Sequence, residues 1–483
     1  MKQTLIRKLL TMLCGVFLPL LLSACSFLHN QHRSDLQLIY TKTAQYHKPD
    51  RNPIIVIPGI LGSKLKDRDT GQTVWGAFNG VALDPNSING TRTIALPLSE
   101  NSNLEELQDN VEPNGVLESV RVKLFGIPLN IQAYASILST LGVGGYRDDS
   151  IGLSGLDYGD DHFTCFQFAY DWRRDNVENA KRLKTFIDEK RLFVQGQYKE
   201  KYGIENAEIK FDIVAHSMGG LVARYFMRYG DADLPANDVM PEVTWAGTED
   251  VDRLIMVGTP NAGSVDAFSD LINGYDAGLF LPHYESGLLG TFPAIYQLLP
   301  RPRHKAIVWK NNTDEAVDLY DHTLWEKYQW GLAANDKTTT KFLKTVLPKV
   351  RTNQERKHIA LTLQKNILKR AELFHKAIDS PAKTPDGVDL FLVLGDAEKT
   401  NSKIEIDKKT GEFRISDSAP GDGTVLRSSA LMDERLGNEW EPTLKTPIDW
   451  TSVLFLFSDH LGLTRDSAFS DNVLYWLLEE PRD

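Results

Sequence analysis

The sequence predicts an α/β fold: a mostly parallel central sheet flanked by helices, with a mainly helical cap inserted after its first half. Short apolar, β-prone runs recur at Ile54–Ile57, Phe166–Ala169, Phe211–Ala215, Leu390–Leu394 and Val453–Phe457, the length and composition of buried strands. The third run passes through a tight turn into Gly220-Leu-Val-Ala-Arg-Tyr-Phe-Met227, which has helical spacing. These core runs fall in two blocks, 51–261 and 388–483, and the stretch between them differs in character, so 262–387 reads as the cap. A chain of 483 residues with 42% hydrophobic content can form one large domain with such an insertion, or two domains.

The strand-to-helix turn Ala215-His-Ser-Met-Gly219 makes Ser217 a candidate nucleophile. A serine exposed at the tip of so sharp a turn needs small residues two before and two after it, and Ala215 and Gly219 meet that need. Such a serine is inert without a base and an acid, which in this arrangement follow it in the order acid, then histidine. His216 is excluded as base because its side chain leaves the turn pointing away from that of Ser217. His460 follows the apolar run Val453–Phe457 in a polar loop, the expected place for a catalytic histidine. Asp396, at the end of the Leu390–Leu394 strand, and Asp422, in Pro420-Gly-Asp-Gly-Thr-Val425, compete as the acid. Asp422 is favoured, because its flanking glycines free the backbone to present the carboxylate and its loop runs into an apolar segment. The trio would attack a carbonyl and pass through an acyl-enzyme. Its oxyanion would be held by the Met218 N–H and by a second amide from the Gly-spaced loop Pro58–Ser63 after the first strand.

Beyond the turn, Pro53-Ile-Ile-Val-Ile-Pro-Gly-Ile-Leu-Gly-Ser63, Tyr170-Asp-Trp-Arg173, Ala215-His-Ser-Met-Gly-Gly220, Gly258-Thr-Pro-Asn-Ala-Gly-Ser264, Gly421-Asp-Gly-Thr-Val425 and His460 recur in one known pattern. The chain resembles the lecithin:cholesterol acyltransferase-like α/β-hydrolases, which include lysosomal phospholipase A2 and phospholipid:diacylglycerol acyltransferase. The resemblance spans about residues 51–465, and Tyr170-Asp-Trp-Arg173 is its most discriminating part. It implies an α/β-hydrolase fold, a triad of Ser217, Asp422 and His460, Leu61 as the second oxyanion donor, and Trp75 as a wall of the acyl groove. It also implies a lipase, phospholipase or lipid O-acyltransferase that acts on a phospholipid or other acyl ester without a cofactor. The cysteine count cannot supply the disulfide-closed lid loop of the secreted animal enzymes.

The N-terminus carries a second signal. Lys2, Arg7 and Lys8 precede an apolar run from Leu9 to Leu22, and Leu22-Ser-Ala-Cys25 closes it with small residues before a cysteine. This resembles a bacterial lipobox, which implies a signal peptide over 1–24, cleavage before Cys25, acylation of Cys25 and a lipidated tether over 25–50. Ser26 after the cysteine implies the outer membrane, with the enzyme lipid-anchored in the cell envelope and facing the periplasm. The apolar run is short for a membrane-spanning helix.

Composition narrows the rest. The net charge of −11 becomes −14 once Lys2, Arg7 and Lys8 leave with the signal, which argues against nucleic acid as a partner. Of three cysteines, Cys14 leaves with the signal and Cys25 is modified, so Cys165 remains alone as a small buried hydrophobe. No ligand cluster points to a metal. Within the cap, Gly278–Pro282, Leu288-Leu289 and Phe292–Leu299 are apolar enough for a mobile lid or for ordinary cap packing. Ala360, Leu363, Ile367, Ala371, Phe374 and Ile378 recur at helical spacing among basic residues, which fits a cap helix or a helix touching phosphate headgroups. The alternative to an enzyme is a catalytically inactive lipoprotein that binds lipids or a partner through the cap.

Overall fold

The computed structural model describes residues 35–46, 51–76, 82–98, 104, 107–117, 119–124, 127–132, 134–149, 164–235, 239–276, 282–435 and 441–482. Two units are distinguished, Met1–Ile39 and Tyr40–Asp483. The described part of the first leads into the short helix Leu36–Tyr40. Cys25 and the expected signal peptide lie outside the described residues.

Six parallel strands build the central sheet of the second unit: β1 (Ile54–Ile57), β2 (Cys165–Gln167), β3 (Phe211–His216), β4 (Val251–Val257), β5 (Asp389–Gly395) and β6 (Ser452–Leu456). Their order is β6-β5-β4-β3-β1-β2. Helices cover both faces, which is why the inner strands read as unbroken apolar runs; β3 is buried at all six positions. Ile54, Val56, Val214 and Val393 face helices α1 (Ala135–Val143) and α5 (Ser467–Leu478), while Ile55, Ile57, Ile213 and Leu254 face α2 (Asn176–Tyr202) and α3 (Gly219–Tyr229). Asp175 caps α2 by accepting from the Val177 N–H, and Gly203 ends it in the left-handed region at φ 66°. This is the α/β-hydrolase arrangement.

The cap is built around helix α4 (Asn353–Asp379), which starts in a capping box between Thr352 and Glu355. Its apolar stripe from Ala360 to Ile378 is fully buried, and Phe374 stacks on Tyr225 of α3 with ring centroids 5.8 Å apart. Most of the surrounding cations have partners inside the protein. Lys357 donates to the Leu332 and Ala334 carbonyls, Arg370 pairs with Asp175 and Asp233, and Lys376 pairs with Glu372. The stripe therefore packs the cap. Leu288, Leu289, Phe292 and Leu299 are likewise buried, with Phe292 edge-on to Trp172, so they pack the cap too; 278–281 lie outside the described residues.

Three boundaries differ from those read in the sequence. The expected tether over 25–50 joins the unit at Tyr40, whose hydroxyl donates to Glu479 and whose ring is buried along with Ala44. The cap is not confined to 262–387 or to helices. A four-stranded sheet runs through Asn312–Ala316, Ile307–Trp309, Glu398–Ile406 and Phe413–Gly421 in that order, and its last two strands lie beyond β5. That hairpin is mostly polar and inserts Ile404, Ile406 and, in part, Phe413 into the cap core, a pattern too weak to read as strands. A second insertion, the small sheet Thr73–Trp75, Ser63–Asp67 and Val111–Val116, separates β1 from β2.

Because Phe374 ties the cap to the helix that follows the nucleophile turn, Phe374→Ala should cost about 3–5 kcal/mol of stability, read from urea unfolding. A loss below ~1 kcal/mol would show that the cap docks by other contacts.

Candidate active site

The turn after β3 places Ser217 at φ 53°, in the left-handed region that a serine enters only when the surroundings force it. The Ser217 N–H donates to the Val257 carbonyl of β4 at 2.8 Å, and α3 begins two residues later. Close packing fixes the turn from the other side. A Cβ on Gly59 would lie 2.6 Å from the Ser217 Cβ and 3.1 Å from its Oγ, and one on Gly219 would lie 2.4 Å from the Pro58 carbonyl oxygen. The requirement for a small residue at 219 is thus a contact with the loop after β1.

That loop bends at Gly59–Gly62, where the Gly62 N–H donates to the Gly59 carbonyl and Leu61 takes φ 61°. Neither the Leu61 nor the Met218 N–H donates to an acceptor among the described residues, so both are available to an oxyanion. The Trp75 indole N–H donates to the Leu61 carbonyl at 2.8 Å, which pins the strained residue. Trp75 itself is 6% exposed and sits edge-on to Trp172 and Tyr284. Through that indole bond the residue expected as a groove wall also anchors the turn.

Tyr170-Asp-Trp-Arg173 braces the same loop from behind. The Tyr170 hydroxyl donates to the Pro58 carbonyl at 2.9 Å, the Tyr170 N–H to the Ser63 hydroxyl at 3.0 Å, and the Trp172 indole to the Ser63 carbonyl at 3.1 Å. Arg173 is buried, holds Asp171 through two nitrogens and reaches Asp109 and the Ile94 carbonyl. Burial pushes the Asp171 carboxyl up, but the Arg173 and Arg174 guanidiniums outweigh it and hold it below the usual carboxylate range.

On the far side, the His460 Nδ1–H donates to Asp422 Oδ2 at 2.7 Å, and the His460 N–H to the Asp422 carbonyl at 2.9 Å. Asp422 is 2% exposed; its other oxygen accepts from the Thr424 and Val425 amides at 3.0 and 2.7 Å. Burial raises its carboxyl, yet the imidazole and the two amides outweigh that and keep it below the ordinary range. Asp396 has no side-chain contact with His460, so the choice between the two aspartates falls to Asp422. The His460 ring lies against Gly258, the residue after the carbonyl that holds the Ser217 amide. The Ser217 hydroxyl makes no hydrogen bond to His460 here, a looseness common before substrate tightens such a site. Ser217 is 8% exposed.

Two residues escaped the sequence reading. Tyr134 donates to His216 and accepts from the Gly59 amide, and His216, set aside as base, packs 4.7 Å from the His460 ring. Tyr134 lies outside every motif, and His216 was weighed only as a proton acceptor. Among the described residues no group of three or more His, Cys, Asp or Glu side chains is placed to hold a metal ion. Cys165 is buried and free, and burial pushes its thiol well up.

The family model for lecithin:cholesterol acyltransferase matches residues 133–424, more than half of the chain. The chain belongs to the lecithin:cholesterol acyltransferase family. Two Arabidopsis thaliana relatives are similar to it. Phospholipase A(1) LCAT3 is 24% identical over 343 residues, covering 66% of this chain and 67% of that protein. Lecithin-cholesterol acyltransferase-like 4 is 23% identical over 287 residues, covering 54% and 45%; the alignment thus spans less than half of the second relative. Among solved structures, the Tle4–Tli4 complex aligns over 88% of this chain and 97% of its own with a TM-score of 0.52 at 14% identity, a likeness of fold alone. As a member of the lecithin:cholesterol acyltransferase family, the protein is an enzyme of the lipase and phospholipase type, concerned with acyl transfer on lipid esters.

Gly59→Ala should fold normally yet lower kcat on a soluble ester by about 100-fold, because the added methyl would displace the Ser217 side chain. Thermal unfolding and steady-state kinetics check both halves. Full activity in this variant would show that the loop does not abut the working serine.

Proposed function

We propose that Ser217, His460 and Asp422 perform acyl transfer on a membrane lipid ester through an acyl-enzyme. The observation that carries this reading is the 2.7 Å bond from His460 Nδ1 to the buried, doubly amide-anchored Asp422, on the same end of the sheet as a serine held at φ 53°. His460 Nε2 takes the Ser217 proton as Oγ bonds to the acyl carbon, and the charge that moves to the carbonyl oxygen is met by the Leu61 and Met218 amides. Asp422 keeps the imidazole in the Nδ1–H tautomer and stabilises the imidazolium. His460 then returns the proton to the departing alcohol, here a lysolipid. Water, or the hydroxyl of a second lipid activated by His460, attacks the acyl-enzyme and releases the chain as a fatty acid or a new ester. The low exposure of Ser217 favours an acceptor delivered from the lipid phase, because exclusion of water decides the partition between hydrolysis and transfer.

Lipid mass spectrometry of phospholipid vesicles incubated with the protein and with Ser217→Ala, with and without a sterol or diacylglycerol, tests this reading. Fatty acid and lysophospholipid, or an ester of the added alcohol, should appear with the native protein and fall at least ~1,000-fold in the variant. Undiminished product from Ser217→Ala would refute a serine mechanism.

We propose further that the chain is cleaved before Cys25 and acylated there, which would hold the enzyme at the outer membrane beside its substrate. The support is the charged start, the apolar run and Leu22-Ser-Ala-Cys25. Cys25→Ser should abolish incorporation of labelled fatty acid and move the protein to the soluble fraction. Retention in the membrane without label would refute lipid anchoring through Cys25.

A further inference from the structure

Three hydrogen bonds form a directed path behind the candidate triad. The Gly59 N–H donates to the Tyr134 phenol oxygen at 2.8 Å, the Tyr134 hydroxyl lies 3.2 Å from His216 Nδ1, and His216 Nε2 lies 3.2 Å from the His460 carbonyl oxygen. A carbonyl only accepts, so His216 Nε2 carries the proton. His216 Nδ1 is then the acceptor of a neutral ring, and the phenol proton, whose oxygen already accepts from Gly59, goes to it. One arrangement of protons satisfies every group on the path.

We propose that Tyr134 and His216 are positioning residues that lock the loop bearing the oxyanion donor to the loop bearing the base, so that the two sides of the reaction keep one spacing. The inference rests on the reading of Ser217 and His460 as nucleophile and base. Among the described residues the two ends share no other route of this kind: Gly59 abuts Ser217 and opens the turn that ends in the Leu61 amide, while the His460 carbonyl belongs to the residue whose ring Asp422 orients. The path requires a neutral His216, and the molecule enforces it. Both residues are buried, and burial, with the neighbouring His460 imidazole, pushes His216 down to about 3, against weaker opposing pulls from the bond to the His460 carbonyl and from Asp422. A neutral ring 4.7 Å from His460 also adds no like charge when His460 becomes an imidazolium. The groups facing His216 are Tyr134 on one edge, His460 on the other and Asp422 behind His460. An aromatic spacer without hydrogen bonds could fill the same volume, and it is the Tyr134 hydroxyl and the two ring nitrogens of His216 that the proposal needs.

The test uses the full chain and four variants on a soluble p-nitrophenyl ester. His216→Phe keeps the volume and removes both bonds, Tyr134→Phe removes the phenol, His216→Gln places an amide N–H near the position of Nε2, and Ser217→Ala is the reference. The expected result is a kcat about 10- to 100-fold lower in His216→Phe and Tyr134→Phe with KM within about twofold, an acid limb of the pH–rate profile displaced from that of the native protein, and recovery to within about threefold in His216→Gln. Thermal unfolding of each variant separates this from loss of the fold. Native kcat and an unmoved acid limb in both Phe variants, with Ser217→Ala inactive, would overturn the relay and leave the triad standing. Equal losses in His216→Phe and His216→Gln, each matched by a lowered melting temperature, would overturn it in favour of plain packing. Activity surviving in Ser217→Ala would instead remove the catalytic reading on which the relay rests.

Discussion

The site depends on backbone brought against backbone. The loop after β1 and the turn after β3 approach so closely that any side chain at Gly59 would overlap Ser217, and any at Gly219 would overlap the Pro58 carbonyl. Strands β1 and β3 are direct neighbours in the sheet, in register from Ile54 opposite Asp212 to Ile57 opposite Ala215, so the two loops leave the sheet side by side. Parallel pairing delivers both to the same end, and two small residues let them touch. The left-handed angles at Leu61 and Ser217 are the strain of that contact, of order 1 kcal/mol or more each, held in place by the bracing around them.

The bracing explains the polar residues that lie deep in the protein. Asp171, Arg173 and Asp109 would each be expensive to bury alone, and together they form a ring of charge-assisted bonds closed by Arg174, with the Ile94 carbonyl taking a further Arg173 N–H. The ring fixes the backbone of 170–173, from which Tyr170 and Trp172 reach three separate atoms of the loop at Pro58 and Ser63. Stability is traded for direction: an apolar filling of the same volume could pack, but it could not hold those carbonyls at fixed angles.

The parallel core and the nucleophile turn were legible because each depends on a local rule. Apolar runs mark doubly covered strands, and small residues flank Ser217 for a steric reason that the coordinates make explicit. His460 was legible from its place after the last strand. Asp422 over Asp396 was a choice about loop flexibility, and the deciding fact, the bond from His460 to a carboxylate that the Thr424 and Val425 amides anchor, is a tertiary geometry that periodicity does not encode. What stayed hidden was non-local. Tyr134 meets His216 across 82 residues of chain, and the bond from the Trp75 indole to the Leu61 carbonyl joins the small inserted sheet to the loop after β1, a link that no local pattern encodes. The cap sheet was missed because Glu398–Ile406 and Phe413–Gly421 are mostly polar and contribute few apolar side chains to the core, chiefly Ile404, Ile406 and, in part, Phe413.

That polar hairpin constrains how the protein could open. Its last residue, Gly421, immediately precedes Asp422, and its first strand pairs in parallel with Ile307–Trp309 of the cap. The segment whose carboxylate holds His460 is thus spliced into the cap's own sheet. A cap that swung outward as one rigid door would drag Asp422 with it and part it from His460 as the entrance widened. Opening that keeps this pair together must come from parts of the insertion outside that sheet, which frees entry from the Asp422–His460 bond.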